Sequence, residues 1–198
     1  MNLFSQIEAL PMIGDWCPLD KAKTLAAMIL ALRPAVVVEI GVWKGSSLIP
    51  MALAMKELGT GMVVGIDSWS AQASVQGQTD PQHADFWGRV APHEVVFNEF
   101  MGRLDQYKLH DVVRVVRKTS NEVQPPDMDM LHVDGNHGEQ AIQDVVRYAP
   151  KVRLGGIVVM DDLDWSGGTV MTAAQRLVQM GYKEMYKLGT GAVYQRIR

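Results

Sequence analysis

The apolar positions of the chain change period repeatedly. Short continuous runs, Val36-Val37-Val38, Met62-Val63-Val64 and Ile157-Val158-Val159-Met160, alternate with stretches in which apolar residues recur every three or four positions. A continuous run suits a strand covered on both faces, as in a parallel sheet, and the longer spacing suits an amphipathic helix. The pattern therefore predicts a helix from Asp20 as N-cap, with Leu25, Met28, Ile29 and Leu32 inward and Arg33-Pro34 as its stop. A strand follows at Val36, then a helix burying Leu48, Met51, Met55 and Leu58, then a second strand from Met62 to Asp67. A helix with Phe97, Phe100, Met101 and Leu104 on one face leads to a third strand, Val112 to Val116. The fourth runs from Met128 to Asp134; after a helix burying Ala141, Ile142, Val145, Val146 and Ala149, Gly155 to Asp162 is the fifth. A last helix carries Val170, Ala173, Ala174 and Leu177, and two short strands around Lys183 to Leu188 and Ala192 to Ile197 close the chain as a hairpin. Strands and helices in alternation predict an α/β fold: a doubly wound, Rossmann-like, mainly parallel sheet with a C-terminal antiparallel hairpin.

Two stretches stand outside this alternation. Within the N-terminal helical segment, residues 1–33, the part before Asp20 holds Trp16 and Pro18 and has no clear period, so it is either a loose arm or a cover for a site or for a neighbouring subunit of a homo-oligomer. Ser68 to Pro92 is polar and rich in small residues, yet it holds Trp69, Phe86 and Trp87. A connection of that length in a compact domain is commonly a lid or a disordered segment. The aromatic residues favour a lid over residues 68–92, against a plain surface excursion with one short helix capped at Asp80-Pro81.

Composition narrows the class. No repeat, low-complexity run or linker divides the 198 residues, which reads as a single domain over 1–198. A net charge of -3 disfavours a general nucleic-acid binder and points to a small-molecule partner. Cys17 is the only cysteine, which excludes an intrachain disulfide framework and suits a reducing compartment. No stretch has the length and apolarity of a membrane span or the layout of a signal peptide, so the expectation is a cytoplasmic protein with no membrane association.

Chemistry gathers where strands end. After the valine strand comes Glu39-Ile40-Gly41-Val42-Trp43-Lys44-Gly45-Ser46-Ser47, a turn whose two glycines let backbone approach a ligand and whose serines can cap the next helix. Gly41 and Gly45 stand four apart with Lys44 before the second, which fits neither a dinucleotide fingerprint nor a P-loop. In a parallel sheet the strands' carboxyl ends share one edge, and here that edge collects Glu39, Asp67, Asp134 and Asp161-Asp162. Carboxylates clustered there imply a cationic or hydroxyl-bearing occupant. If Asp134, Asp161 and Asp162 converge, their repulsion calls for neutralisation, and Mg²⁺ takes oxygen ligands of this kind.

Glu39-x-Gly41-x-x-x-Gly45 resembles the first motif of class I S-adenosylmethionine (SAM)-dependent methyltransferases. Together with Asp134-Gly135-Asn136-His137, Gly155-Gly156 and Asp161-Asp162, the stretch from about Val36 to Asp164 is similar to the small macrocin-type sugar O-methyltransferases. The resemblance implies the class I methyltransferase fold and a SAM site. Gly41 and Gly45 would lie beside the methionine part, Glu39 would orient its amino end, Asp67 would bind the ribose hydroxyls and Ser120 would lie near the adenine, with Ser46 and Asp134 completing the set. It also implies a divalent metal, Mg²⁺, on Asp134, Asp161 and Asp162. Two departures stand out: Asn136 replaces an acidic candidate base, and Leu154 replaces a proline. His137, beside Asp134, is the natural substitute base, unless it is a surface histidine at a helix start. His132 reads as a core residue, and Trp69, Trp87 and Trp165 as candidate acceptor walls. The expected activity is SAM-dependent methyl transfer to a small polyhydroxylated acceptor. A SAM-binding regulatory protein without turnover is the alternative; the glycine spacing and the lack of a Tyr-x-x-x-Lys pair disfavour an NAD-dependent oxidoreductase.

Overall fold

A computed structural model describes residues 2–14, 16–78 and 80–198 of the chain. The valine run forms β1 (Val36–Ile40), in which Val37 packs into one core and Val38 into the other, so the strand is covered on both faces. β2 (Met62–Asp67) and β3 (Val113–Arg117) extend the sheet on one side of β1. β4 (Met128–Val133), β5 (Val152–Met160), β6 (Tyr182–Leu188) and β7 (Gly191–Arg196) extend it on the other. The order is β3-β2-β1-β4-β5-β7-β6, parallel from β3 through β5, with β7 antiparallel to both its neighbours. This is the expected α/β architecture, a doubly wound, mainly parallel sheet with a closing antiparallel hairpin.

Helices cover both faces. α1 (Leu3–Glu8), α2 (Leu19–Leu32), α3 (Leu48–Leu58) and α6 (His93–Tyr107) supply one core; α7 (Glu139–Tyr148) and α8 (Thr169–Gln179) supply the other. Between β2 and α6 lie two short helices, α4 (Ala71–Ser74) and α5 (Pro81–Asp85), and a π turn, Phe86–Val90. The Asp80-Pro81 signal acts as expected: the Asp80 carboxylate accepts from the amides of Gln82 at 2.8 Å and His83 at 3.2 Å, and Pro81 opens α5. Thr79 of this segment lies outside the described residues. No helix among the described residues is long and apolar enough to cross a membrane.

Some boundaries shift for local reasons. Pro18, not Asp20, precedes the first turn of α2, where Asp20 still complements the helix dipole. β5 starts earlier than the Gly155-Gly156 pair because Val152 already pairs with Met128, and the register shifts before Met130 meets Ile157.

The sheet reverses direction of growth between β1 and β4, and such a reversal opens a crevice beyond the strand ends. At that point Gly41 has φ +87°, and a Cβ built on it would lie 2.0 Å from the carbonyl oxygen of Asp134. Only glycine lets the two chains diverge from so close a start.

Candidate active site

The crevice opens into a cavity of about 750 Å³. Gly41, Ser46, Asp67, Ser120, Asp134 and His137 all line it, as do Asp162 and Trp165. Glu39 and Gly45 do not. A Cβ on Gly45 would press 2.7 Å from the Phe100 ring, so that glycine serves helix packing. Neither serine caps α3 by a side-chain bond: Ser46 Oγ donates to the Met12 carbonyl at 3.2 Å and Ser47 Oγ donates to Glu39. The hydroxyls instead tie the turn to the N-terminal segment and to the buried carboxylate.

Asp67 shapes the turn from the end of β2. Its Oδ2 accepts from the amides of Val42 at 3.0 Å and Trp43 at 2.9 Å, and its Oδ1 from that of Trp69 at 2.7 Å. Burial pushes its carboxyl up, and the three amides oppose that shift. Each carboxylate oxygen accepts more than one bond, so capacity remains towards the cavity. Trp43, Trp69 and Asp162, each just past a strand end, hold left-handed backbone with φ of +47°, +43° and +49°. Strain of this sort persists where the surroundings over-determine it, commonly at functional sites. At Asp162 it resolves the adjacent aspartates, which face different partners.

On the wall, His137 Nε2 lies 3.1 Å from Asp162 Oδ2, in ion-pair range but without the alignment of a regular hydrogen bond. His137 holds the Asp162 carboxyl below its ordinary value; burial, the largest influence on Asp134, raises that one. Trp165 packs between two imidazoles, with ring centroids 4.0 Å from His137 and 4.4 Å from His83. Asn136 is a tether: its Nδ2 donates to the carbonyls of Ser74 at 3.2 Å and Gln76 at 2.9 Å, fixing residues of the β2–α6 connection to the end of β4.

Beneath the cavity lies a fully buried polar chain. Glu39 Oε1 receives the Ser47 hydroxyl and stands 2.8 Å from His132 Nδ1. Burial pushes Glu39 up to about 8 and His132 down to about 4, so both are neutral near pH 7. His132 Nε2 is 3.9 Å from Asp161 Oδ2, and Asp161 is in direct contact with the Lys21 ammonium. Lys21 Nζ is also 3.9 Å from Asp134 Oδ2. The three aspartates accordingly do not form one ligand set. Among the described residues, the donor groups whose atoms come within 4.8 Å of one another are His132 with Asp134 and Asp161, and Asp134 with His137 and Asp162. Lys21 escaped notice in the sequence, although it stands four residues before Leu25 on the inward stripe of α2, where a cation needs a partner.

At the far end, Ser120 Oγ donates to Asp144 Oδ1 at 2.5 Å, and Gln140 Nε2 donates to the same oxygen at 2.7 Å. At the mouth, Trp16, Trp43, Phe86 and Trp87 form a ring cluster with centroid separations of 4.9 to 6.4 Å. The N-terminal arm thus reaches the cavity through Trp16. Trp69 does not act as a wall: it is 2 % exposed, stacks on Phe100 and donates its indole N–H to the Trp43 carbonyl at 2.9 Å.

Residues 38–163, most of the sheet and every strand end described above, match a family model described as a methyltransferase domain. The chain belongs to that family. It is a SAM-dependent methyltransferase. No curated protein matches the chain in sequence. Similar solved structures include the O-methyltransferase NovP, at 20 % identity and a TM-score of 0.71 over 91 % of this chain and 81 % of that one. The O-methyltransferase TomG from Streptomyces achromogenes, solved with SAM, is 16 % identical with a TM-score of 0.66, covering 100 % and 91 %. A Podospora anserina methyltransferase bound to SAH is 12 % identical with a TM-score of 0.65, covering 99 % and 86 %. At these identities the likeness concerns the fold. In this methyltransferase the wall offers an imidazole, two carboxylates and a tryptophan face to whatever enters, and the floor offers no accessible group.

Proposed function

We propose that the protein transfers the methyl group of SAM to a hydroxyl of a small polyhydroxylated acceptor, as a member of the macrocin-type O-methyltransferase group that it resembles. The observation that carries this reading is the wall trio Asp134, His137 and Asp162, at the switch point and open to the cavity. SAM occupies the side bounded by Gly41, Ser46, Asp67 and Ser120, with the ribose hydroxyls on Asp67 and the adenine towards Ser120. Glu39 acts from below through Ser47, and Gly45 through packing on Phe100. The acceptor lies against His137 and Trp165, beneath a lid formed by residues 68–92 and the arm bearing Trp16. The acceptor oxygen attacks the methyl carbon in line, the carbon–sulfur bond breaks to leave SAH, and the hydroxyl proton passes to His137, which Asp162 orients.

A metal-assisted variant is favoured by one observation, the donor chemistry of the same trio. Two carboxylates and an imidazole, partly exposed, fit Mg²⁺ or Mn²⁺. Such an ion would lower the pKa of the acceptor hydroxyl. Asp134, Asp162 and His137 would hold it; Asp161, expected as the third ligand, is engaged by Lys21.

Titration calorimetry should give heat with SAM and none with NAD; the reverse result sinks the assignment. His137→Gln should keep SAM affinity and lower kcat about 10²-fold or more. Turnover that survives excess chelator but fails in His137→Gln selects the base; turnover lost to chelator and regained with Mg²⁺ selects the metal.

A further inference from the structure

His132, Asp134 and Asp161 make a second donor group, lying one layer deeper than the wall trio. It is already served by a cation. Lys21 is 5 % exposed, its ammonium touches Asp161, and it stands 3.9 Å from Asp134. The lysine comes from α2, outside the matched family segment, and reaches the ends of β4 and β5. Its surroundings are closed: Asp161 is 4 % exposed and His132 0 %.

A buried ammonium is costly to desolvate unless it is paired, so its retention at this place calls for a reason. The pairs themselves suggest one. Asp161 lies directly after β5 and Asp134 directly after β4, and the two chains are adjacent there, since the Asp161 amide donates to the Val133 carbonyl at 3.0 Å. Two carboxylates so placed repel each other, and Asp134 is the one that also faces the cavity. We propose that Lys21 is an internal cation standing where the His132, Asp134 and Asp161 donors converge, in the place a metal ion would otherwise take, and that it positions Asp134 for turnover. His132 Nε2, which has no hydrogen-bond partner, is then the remaining donor that removal of the lysine would leave free to bind a metal.

The positioning role rests on the methyl-transfer reading; the occupancy of the donor group does not. Lys21→Ala shortens the side chain and leaves the donors in place, whereas Lys21→Met keeps length without charge and guards against collapse of the helix contact. Equilibrium titration with Co²⁺, followed by absorbance, should show one equivalent more in Lys21→Ala than in the wild type, and Co²⁺ should raise the Tm of the variant more than that of the wild type. The extra equivalent should vanish in Lys21→Ala/His132→Leu. Turnover of Lys21→Met should fall at least tenfold with SAM affinity unchanged, and ethylammonium should restore part of the turnover of Lys21→Ala while doing nothing for Lys21→Met. Equal Co²⁺ stoichiometry in wild type and Lys21→Ala would overturn the occupancy claim. Undiminished turnover in Lys21→Met would overturn the positioning claim. Absence of SAM binding in the wild type would instead defeat the methyl-transfer reading and leave the Co²⁺ result standing.

Discussion

His132 on the floor and His137 on the wall stand beside the same aspartate, Asp134, yet they live in different chemistry. His132 is enclosed, paired at 2.8 Å with a carboxyl that burial keeps protonated, and itself pushed down to about 4. His137 faces a cavity and an aspartate whose carboxyl it holds below the ordinary range. The floor uses ionisable residue types in neutral form as a hydrogen-bonded scaffold, except at Lys21 and Asp161, where the charges sit together. The wall keeps ionisable groups within reach of a ligand. Both regions come from the same strand ends, so position at the carboxyl edge of a sheet does not by itself assign a residue to chemistry.

Gly41 joins the two regions, and its replacement should have the largest effect. A Cβ at 2.0 Å from the Asp134 carbonyl, on a backbone at φ +87°, forces β1 and β4 apart. Gly41→Ala should cost about 3 kcal/mol or more of stability, read from the urea midpoint. From the sequence alone Gly41 reads as room for backbone to approach a ligand; in the structure it lines the cavity and also admits the chain's own backbone at the end of β4. A variant as stable as the wild type would mean that floor and wall can separate without strain.

The next test concerns the floor alone. Glu39, raised from 4.5 to about 8, binds its proton more tightly folded than unfolded. Its contribution is therefore fully present below about pH 4.5 and is lost as pH rises through about 8. His132 is lowered from 6.5 to about 4, so its contribution is present above about 6.5 and is lost as pH falls through about 4. The two slopes oppose each other between pH 4.5 and 6.5, and only the Glu39 decline remains from 6.5 to 8. Glu39→Gln keeps a neutral group and should flatten that alkaline decline, worth on the order of a few kcal/mol. Unfolding free energies at pH 6.5 and 8 measure it. An equal decline in wild type and variant would place the ionised carboxylate, and not the neutral acid, in the fold.

How far the sequence reveals each region follows from its periodicity. The strands, the helices and the carboxylate edge were legible because continuous valine runs and helical stripes repeat over many residues. The place of His132 in an apolar strand marks it as core, and the residue is fully buried. The division of labour among the carboxylates is not legible, since it depends on backbone turns after the strands: Asp162 sits at φ +49° and Asp161 does not, and the two neighbours meet different partners, His137 and Lys21. Lys21 was missed because it lies in a segment remote from the strand motifs, although its inward position on α2 was a readable signal. In the sequence Asn136 registers only as the absence of an acidic base, whereas its amide holds the segment that follows β2.

That tether gives the smallest and most local expected effect. Asn136 belongs to the wall by sequence, one residue before His137, yet both its amide donors reach carbonyls of Ser74 and Gln76, and its Oδ1 accepts from the Gly138 amide at 2.7 Å. Bonds between partly exposed groups contribute about 1 kcal/mol each, too little to unfold the sheet but enough to loosen a connection made of short helices. Asn136→Ala should leave the urea midpoint nearly unchanged and speed amide exchange in residues 70–78 by about tenfold. In the wild type, SAM and acceptor together should slow exchange around Phe86 and Trp87, where the rings meet Trp16 and Trp43. If the variant loses that slowing while SAM affinity holds, the tether transmits occupancy of the wall to the lid. If exchange in this segment is equally slow with and without ligands, in both proteins, the connection is a fixed part of the cavity and does not close over it.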